Sequence, residues 1–151
     1  MAELIEELKE LVSAFEDNSI EYALCGGLAM AAHGFVRATM DIDFLIRSES
    51  LEKAYEVGKE NGFDIRGLDI SFKERAVEIR RISKIVGEDV ISLDLLLVTP
   101  RVKDVWETRE RIDFLGGKLS VVSRSGLIKM KTLAGRPQDL ADIERLENER
   151  S

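Results

Sequence analysis

Leu4, Ile5, Leu8, Leu11, Val12 and Phe15 recur at the spacing of one helical face, with glutamate and lysine between them. The pattern predicts an amphipathic helix over residues 2–17, broken by Asp17-Asn18-Ser19. Ile20 to Cys25 reads as a short strand, Gly26-Gly27 as a tight turn, and "LAMAAHG" as a short helix ending at Gly34. Met40 to Ile46 predicts a second strand, and Ser48 or Ser50 caps a helix that Asn61-Gly62 terminates. "FDIRG" is a short strand. Ala76 to Val86 and Val90 to Val98 are rich in β-branched residues and flank Gly87-Glu88-Asp89. They predict an antiparallel hairpin, with other pairings open.

Pro100 ends that hairpin, and "VKDVWETRE" predicts a short helix. "IDFLGGKLSVVS" alternates around Gly116-Gly117 and predicts a small hairpin. Ser123 or Ser125 opens a helix, "GLIKMKTLAG", which Arg136-Pro137 separates from a last helix, "QDLADIERLENE". Strands dominate the middle and helices the two ends, which is an α+β (mixed α/β) pattern. The 151 residues fit a single domain, 1–151, with a helical tail from about residue 123.

Composition narrows the function classes. Apolar residues make up 44% and charged residues 34%, an ordinary globular mixture. No apolar run approaches the roughly 20 residues of a membrane span, and the acidic, helix-patterned N-terminus does not read as a secretory signal. The single cysteine, Cys25, leaves no internal disulfide, which fits a reducing, cytoplasmic setting. The net charge of −7, from 29 acidic and 22 basic residues, disfavours a grip on extended nucleic acid. A nucleotide-sized ligand needs only a few cations.

The chemistry-bearing feature is "MDIDFLI". On a strand, residues i and i+2 share a face, so Asp41 and Asp43 point the same way with side chains within about 7 Å. Two unit charges at that separation repel by about 2 kcal/mol at an effective dielectric near 20. A third carboxylate, Asp94, sits in the apolar strand "SLDLLLV", where a charge is costly without a partner. If the two strands are neighbours, three carboxylates converge. Oxygen ligands of this kind suit Mg²⁺, and two ions suit phosphoryl chemistry. An Asp-x-Asp pair alone also fits a solvated strand end. Gly26-Gly27, between a strand and a helix, lets backbone N–H groups approach a phosphate, although a tight turn accounts for it equally.

The order of apolar-Gly-Gly, spacer, Asp-x-Asp and a later strand Asp resembles the nucleotidyltransferase superfamily with the polymerase-beta-like fold. "GGLAMAAHGFVRATMDIDFLI" together with "KTLAGRPQDLADIERL" is similar to the minimal nucleotidyltransferases of bacteria and archaea, relatives of abortive-infection-type and toxin–antitoxin nucleotidyltransferases. The resemblance implies a central mixed sheet flanked by helices, with a C-terminal helical tail. It implies that Asp41, Asp43 and Asp94 are metal ligands, with Asp94 as base for an incoming hydroxyl. It implies a phosphate-binding turn at Gly26 and Gly27, and NTP as substrate with two Mg²⁺ ions. Arg37 and Thr39 match an Arg-x-Thr element, with Arg37 a phosphate contact or a loop cation and Thr39 a hydrogen-bond partner for Asp41. Lys131 matches a helix lysine near the nucleotide, and Arg136, Asp139 and Asp142 the following turn and helix. Lys131 with Asp139 is either a functional pair or a salt bridge locking the helices. Gln138 stands where this subgroup often has a basic residue.

His33 and Cys25 read as structural, a helix-end histidine and a buried filler, and Trp106 and Phe114 as core. "KERAVEIRRISK" reads as a solvated sheet face or an acceptor-binding edge. The expected function is Mg²⁺-dependent transfer of NMP from an NTP to a hydroxyl of a small molecule, protein or RNA, releasing pyrophosphate. The alternative is an antitoxin or regulatory module that keeps the fold and acts through a helical toxin-like partner or a second copy.

Overall fold

The computed structural model describes residues 2–35, 39–72 and 74–148. The first helix, α1 (Ala2–Asp17), spans the range its periodicity predicts. Then follow β1 (Ala23–Cys25), α2 (Gly26–Ala32), β2 (Asp41–Ile46), a 3₁₀ turn (Ser48–Ser50) and α3 (Leu51–Glu60). Two short strands, β3 (Ile65–Arg66) and β4 (Ile70–Phe72), precede the long hairpin of β5 (Val77–Val86) and β6 (Asp89–Leu97). A second 3₁₀ turn (Pro100–Val102) leads to α4 (Lys103–Glu107), the hairpin β7 (Glu110–Phe114) and β8 (Gly117–Val121), and the tail helices α5 (Arg124–Ala134) and α6 (Pro137–Asn148).

The described strands form one mixed sheet in the order β3-β5-β6-β2-β1-β8-β7, with β4 beside β5. The β2–β6 and β1–β8 pairs are parallel. The strand neighbourhood that the three carboxylates require is therefore present. Alternation assigns the two faces. Ile42, Phe44 and Ile46 of β2 and Leu93 and Leu95 of β6 are fully buried. On that face Phe44 packs edge-on against Phe15 of α1, centroids 5.1 Å apart, and Gly58 of α3 leaves no room between its backbone and Ile82. Lys84 reaches across to Glu7 of α1 at 2.9 Å. Asp41 and Asp43 lie on the opposite face, towards α2 and α5.

Several local readings shift. The first strand starts at Ala23, not Ile20. Gly26 and Gly27 are the first residues of α2 itself, with Gly26 at φ +66°, not a separate turn ahead of it. Pro137 does not separate the last two helices but begins α6, where its missing N–H costs nothing. Among the described residues no helix is long and apolar enough to cross a membrane.

Candidate active site

Strand register builds the centre. Asp43 of β2 faces Asp94 of β6, and Asp41 faces Ser92. On the far side of β6, the antiparallel hairpin sets Arg81 of β5 opposite Asp94. On the far side of β2, Cys25 of β1 sits opposite Asp43. Paired positions point to one face, so Arg81, Asp94, Asp43 and Cys25 form a row across four strands, with Asp41 alongside.

Arg81 is the cation of this row. Its Nε donates to Asp94 Oδ1 at 2.7 Å and its Nη2 to Asp94 Oδ2 at 2.9 Å, a bidentate fork. The same Nη2 lies 3.7 Å from Asp41 Oδ2. Asp94 is 6% exposed, so without this fork its charge would stand almost unsolvated. Hydrogen bonding to Asp94 holds the guanidinium well above its ordinary range. Asp43 has no such partner: among the described residues no lysine or arginine pairs with it. Burial first, then the charges of Asp94 and Asp41, push its carboxyl up to about 8. Burial also raises Asp41, with Arg81 opposing. The buried Cys25 thiol is pushed up for the same reason and donates weakly to Asp43 O at 3.5 Å, a packed filler and not a nucleophile.

Gly26 touches this centre directly. A Cβ there would overlap Asp43 Oδ2 and stand 2.7 Å from its Cγ, and the positive φ is unfavourable for any other residue. Gly27 packs on Thr39, whose Cβ would lie 3.2 Å from a Cβ at 27. Thr39 Oγ1 accepts from the Asp41 backbone N–H at 3.2 Å. It therefore steadies the start of β2 through the backbone and not through the Asp41 carboxylate. Arg37 lies outside the described residues. His33 Nε2 donates to Val122 O at 2.8 Å, tying the end of α2 to the chain after β8.

The tail closes the site from above. Ser123 caps α5 by accepting from Gly126 N at 3.1 Å, and Gly135 ends it in the left-handed conformation. Lys131, 7% exposed, donates to Asp142 Oδ2 at 2.9 Å and stands 3.7 Å from Asp139 Oδ1. Its ammonium locks α5 to α6, with Asp142 its nearer partner. Asp139 accepts from the Arg136 backbone at 3.1 Å and from its guanidinium at 2.6 Å, so one carboxylate holds both the backbone and the side chain of the residue before α6. Gln138 supports Asp142 at 3.0 Å.

One cleft of about 550 Å³ gathers Gly26, Gly27, Thr39, Asp41, Asp43, Asp94, Lys131, Arg136 and Asp139, and its remaining wall is largely apolar, including Leu45, Ile79, Leu96 and Met130. Asp142 is not part of that lining; it stands behind Lys131. Arg81 lines the same cleft and was not singled out as a site residue from the sequence. The signal was the turn length: Val86 pairs with Asp89 across Gly87-Glu88, and that two-residue loop sets position 81 against 94. A loop that also included Asp89 would have set it against Leu95.

The donor set suits a hard divalent cation: carboxylate oxygens only, with a half-buried Asp43 that has no lysine or arginine partner among the described residues. The geometry is incomplete in this conformation. Among the described residues no three acidic, histidine or cysteine side chains close on one ion.

Two outcomes test this electrostatic description. Gly26→Ala lowers stability by at least about 1–2 kcal/mol, the cost of an L-residue at positive φ, read from urea unfolding midpoints at constant slope. Asp43 holds its proton to about pH 8 in the folded chain but only to the ordinary carboxylate range when unfolded. The folded state thus binds more protons between those limits, and this residue subtracts stability as pH rises through them. Asp43→Asn, measured without metal, is then more stable than the parent at pH 8, and the difference shrinks towards pH 4. A difference independent of pH would refute the assignment.

No family model matches the sequence, and no curated protein does. Solved structures do match in shape. A proposed nucleotidyltransferase from Thermotoga maritima is 16% identical with a TM-score of 0.71, over 99% of this chain and 96% of that one. ANT(2'')-Ia in complex with adenylyl-2''-tobramycin is 12% identical with a TM-score of 0.64, over 97% and 87%. JHP933 from Helicobacter pylori is 15% identical with a TM-score of 0.56, over 96% and 65%. At these identities the likeness concerns architecture, and the architecture of this chain is the nucleotidyltransferase fold.

Proposed function

We propose that this chain is a minimal nucleotidyltransferase, moving a nucleoside monophosphate from an NTP to a hydroxyl acceptor with release of pyrophosphate. The observation that carries the reading is the in-register pair Asp43 and Asp94 on adjacent parallel strands, with Asp41 on the same face and Gly26 against Asp43. The adenylylated tobramycin held by ANT(2'')-Ia, a neighbour in fold, supports hydroxyl nucleotidylation as the reaction class.

Asp41, Asp43 and Asp94 would hold Mg²⁺, which supplies charge neutralisation on the triphosphate and acidifies the attacking hydroxyl. The chain supplies the rest. Gly26 and Gly27 open α2, where backbone N–H groups lack helical acceptors, and both residues line the cleft. They would orient the phosphates. Arg136, at the α5–α6 turn, is held by Asp139 and adds positive charge on the rim. The acceptor oxygen attacks the α-phosphorus, the bond from that phosphorus to the β-bridging oxygen breaks, and pyrophosphate leaves. The acceptor proton passes to an Asp94 oxygen. Lys131 acts at one remove, because its ammonium donates to Asp142 and stands close to Asp139. The apolar wall of the cleft would take the base or an apolar face of the acceptor. The acceptor class stays a small molecule, a protein side chain or an RNA end, and a helical protein partner or a second copy would complete its site.

In a thermal-shift titration, NTP raises Tm only when Mg²⁺ is present, by the linkage of binding to folding. Asp41→Asn and Asp43→Asn each abolish that metal-dependent increment. Undiminished increments in both variants would contradict the ligand assignment. With α-labelled NTP and cell extract, an acceptor becomes labelled above an Asp41→Asn control; equal labelling would argue for the non-catalytic, partner-binding alternative.

A further inference from the structure

Among the described residues, Arg81 differs from the other cations at the cleft. Lys131 and Arg136 answer carboxylates of α6, Asp142 and Asp139, away from the carboxylate row. Arg81 answers two carboxylates of the centre itself, and it takes both oxygens of Asp94. A guanidinium and a divalent cation make the same electrostatic demand on those oxygens, but their geometries differ: the fork lies in one plane and ties two oxygens of one carboxylate, whereas a cation gathers oxygens from several. In this conformation Asp94 and Asp41 lean on Arg81, and among the described residues Asp43 has no cation partner and no three ligands close on an ion.

We propose that Arg81 is a displaceable internal counter-ion: it occupies on Asp94 and Asp41 the oxygens a divalent cation requires, so that cation binding and the Arg81–Asp94 pair exclude one another. This rests on the carboxylate reading of the preceding subsection. The side chain is built for such an exchange. Its base is fixed, because Gly67 N donates to Arg81 O at 2.8 Å and the Gly67 backbone packs so closely that a Cβ there would lie 3.3 Å from Arg81 Cβ. Its head is free to leave, with 42% of the side chain exposed on the cleft wall. A displaced guanidinium remains tethered beside the carboxylates, within reach of an anionic phosphate. The consequence is ordered loading. A cation alone competes poorly with the fork, whereas a cation arriving with a triphosphate brings an anion that can receive Arg81.

The test is Mn²⁺ binding without nucleotide, followed by electron paramagnetic resonance at fixed ionic strength, for the parent chain, Arg81→Gln and Arg81→Lys. Losing a bidentate, charge-assisted competitor tightens Mn²⁺ binding by about ten- to a hundredfold in Arg81→Gln. Arg81→Lys, which keeps the charge but not the fork, falls between. Arg81→Gln also has a lower Tm than the parent without metal and gains more from Mn²⁺. Losing a purely structural arginine would also lower Tm, but it would weaken Mn²⁺ binding and shrink the gain from Mn²⁺, since the site would loosen. Equal or weaker Mn²⁺ binding in Arg81→Gln, with the parent binding measurably, overturns the proposal and leaves the metal-site reading standing. No Mn²⁺ binding by any of the three, with or without ATP, overturns both. Should Arg81→Gln fail to fold even in Mn²⁺, Arg81→Lys decides, and an affinity equal to the parent's overturns the proposal.

Discussion

Pairing Asp43 with Asp94 on neighbouring parallel strands sets two carboxyl groups against each other at the same height of the sheet. Neither can move away without breaking register, because Phe44, Leu93 and Leu95 on the opposite face are fully buried beneath the helices. A slip of one residue would bring the carboxylates into that core. The repulsion is thus enforced by the hydrophobic pattern, and the neighbourhood is arranged around it. Asp94 takes Arg81, and Asp41 shares it at longer range. Among the described residues Asp43 takes no lysine or arginine, and burial beside Asp94 and Asp41 raises its carboxyl well above the ordinary range instead. Gly26 presents bare backbone to Asp43, which leaves that carboxyl open towards the cleft.

The tail shows the same logic one layer out. Lys131 is nearly buried, which is tolerable because Asp142 and Asp139 meet it. Arg136 meets Asp139 in turn, so the α5–α6 turn is held by a chain of charges and not by apolar packing alone. Pair energies in such a chain are sensitive to any missing partner. The device fixes where α5 sits over the sheet and therefore how wide the cleft stands. The sequence left Lys131–Asp139 open between a functional pair and a lock. In the structure Lys131 bridges α5 to α6, with Asp142 its nearer partner, and both Lys131 and Arg136 line the cleft.

Much of this was legible beforehand because it depends on local periodicity. The α1 stripe, the alternation in β2 and the glycine at the α5 C-terminus are each a short-range signal. The three carboxylates were legible because a charge inside an apolar strand is expensive enough to demand a reason. Arg81 was not, because its meaning depends on turn length. "AVEIRRISK" alternates like a solvated face, and only the two-residue loop at Gly87-Glu88 reveals that position 81 meets Asp94. The short strand β4 was missed for a related reason: three residues carry too little alternation to be read alone. Thr39 acts through the backbone of Asp41, a distinction that residue type cannot convey.

The central claim is that the carboxylate row is a cation and triphosphate clamp. The most direct test is a crystal grown with Mn²⁺ and a non-hydrolysable NTP analogue, with anomalous diffraction used to place the metal. The account predicts an anomalous peak about 2 Å from oxygens of both Asp41 and Asp43, with the triphosphate against Gly26-Gly27 and the Arg81 fork on Asp94 opened. A bound nucleotide elsewhere, or a carboxylate row still closed on Arg81 with no metal beside it, would contradict the account.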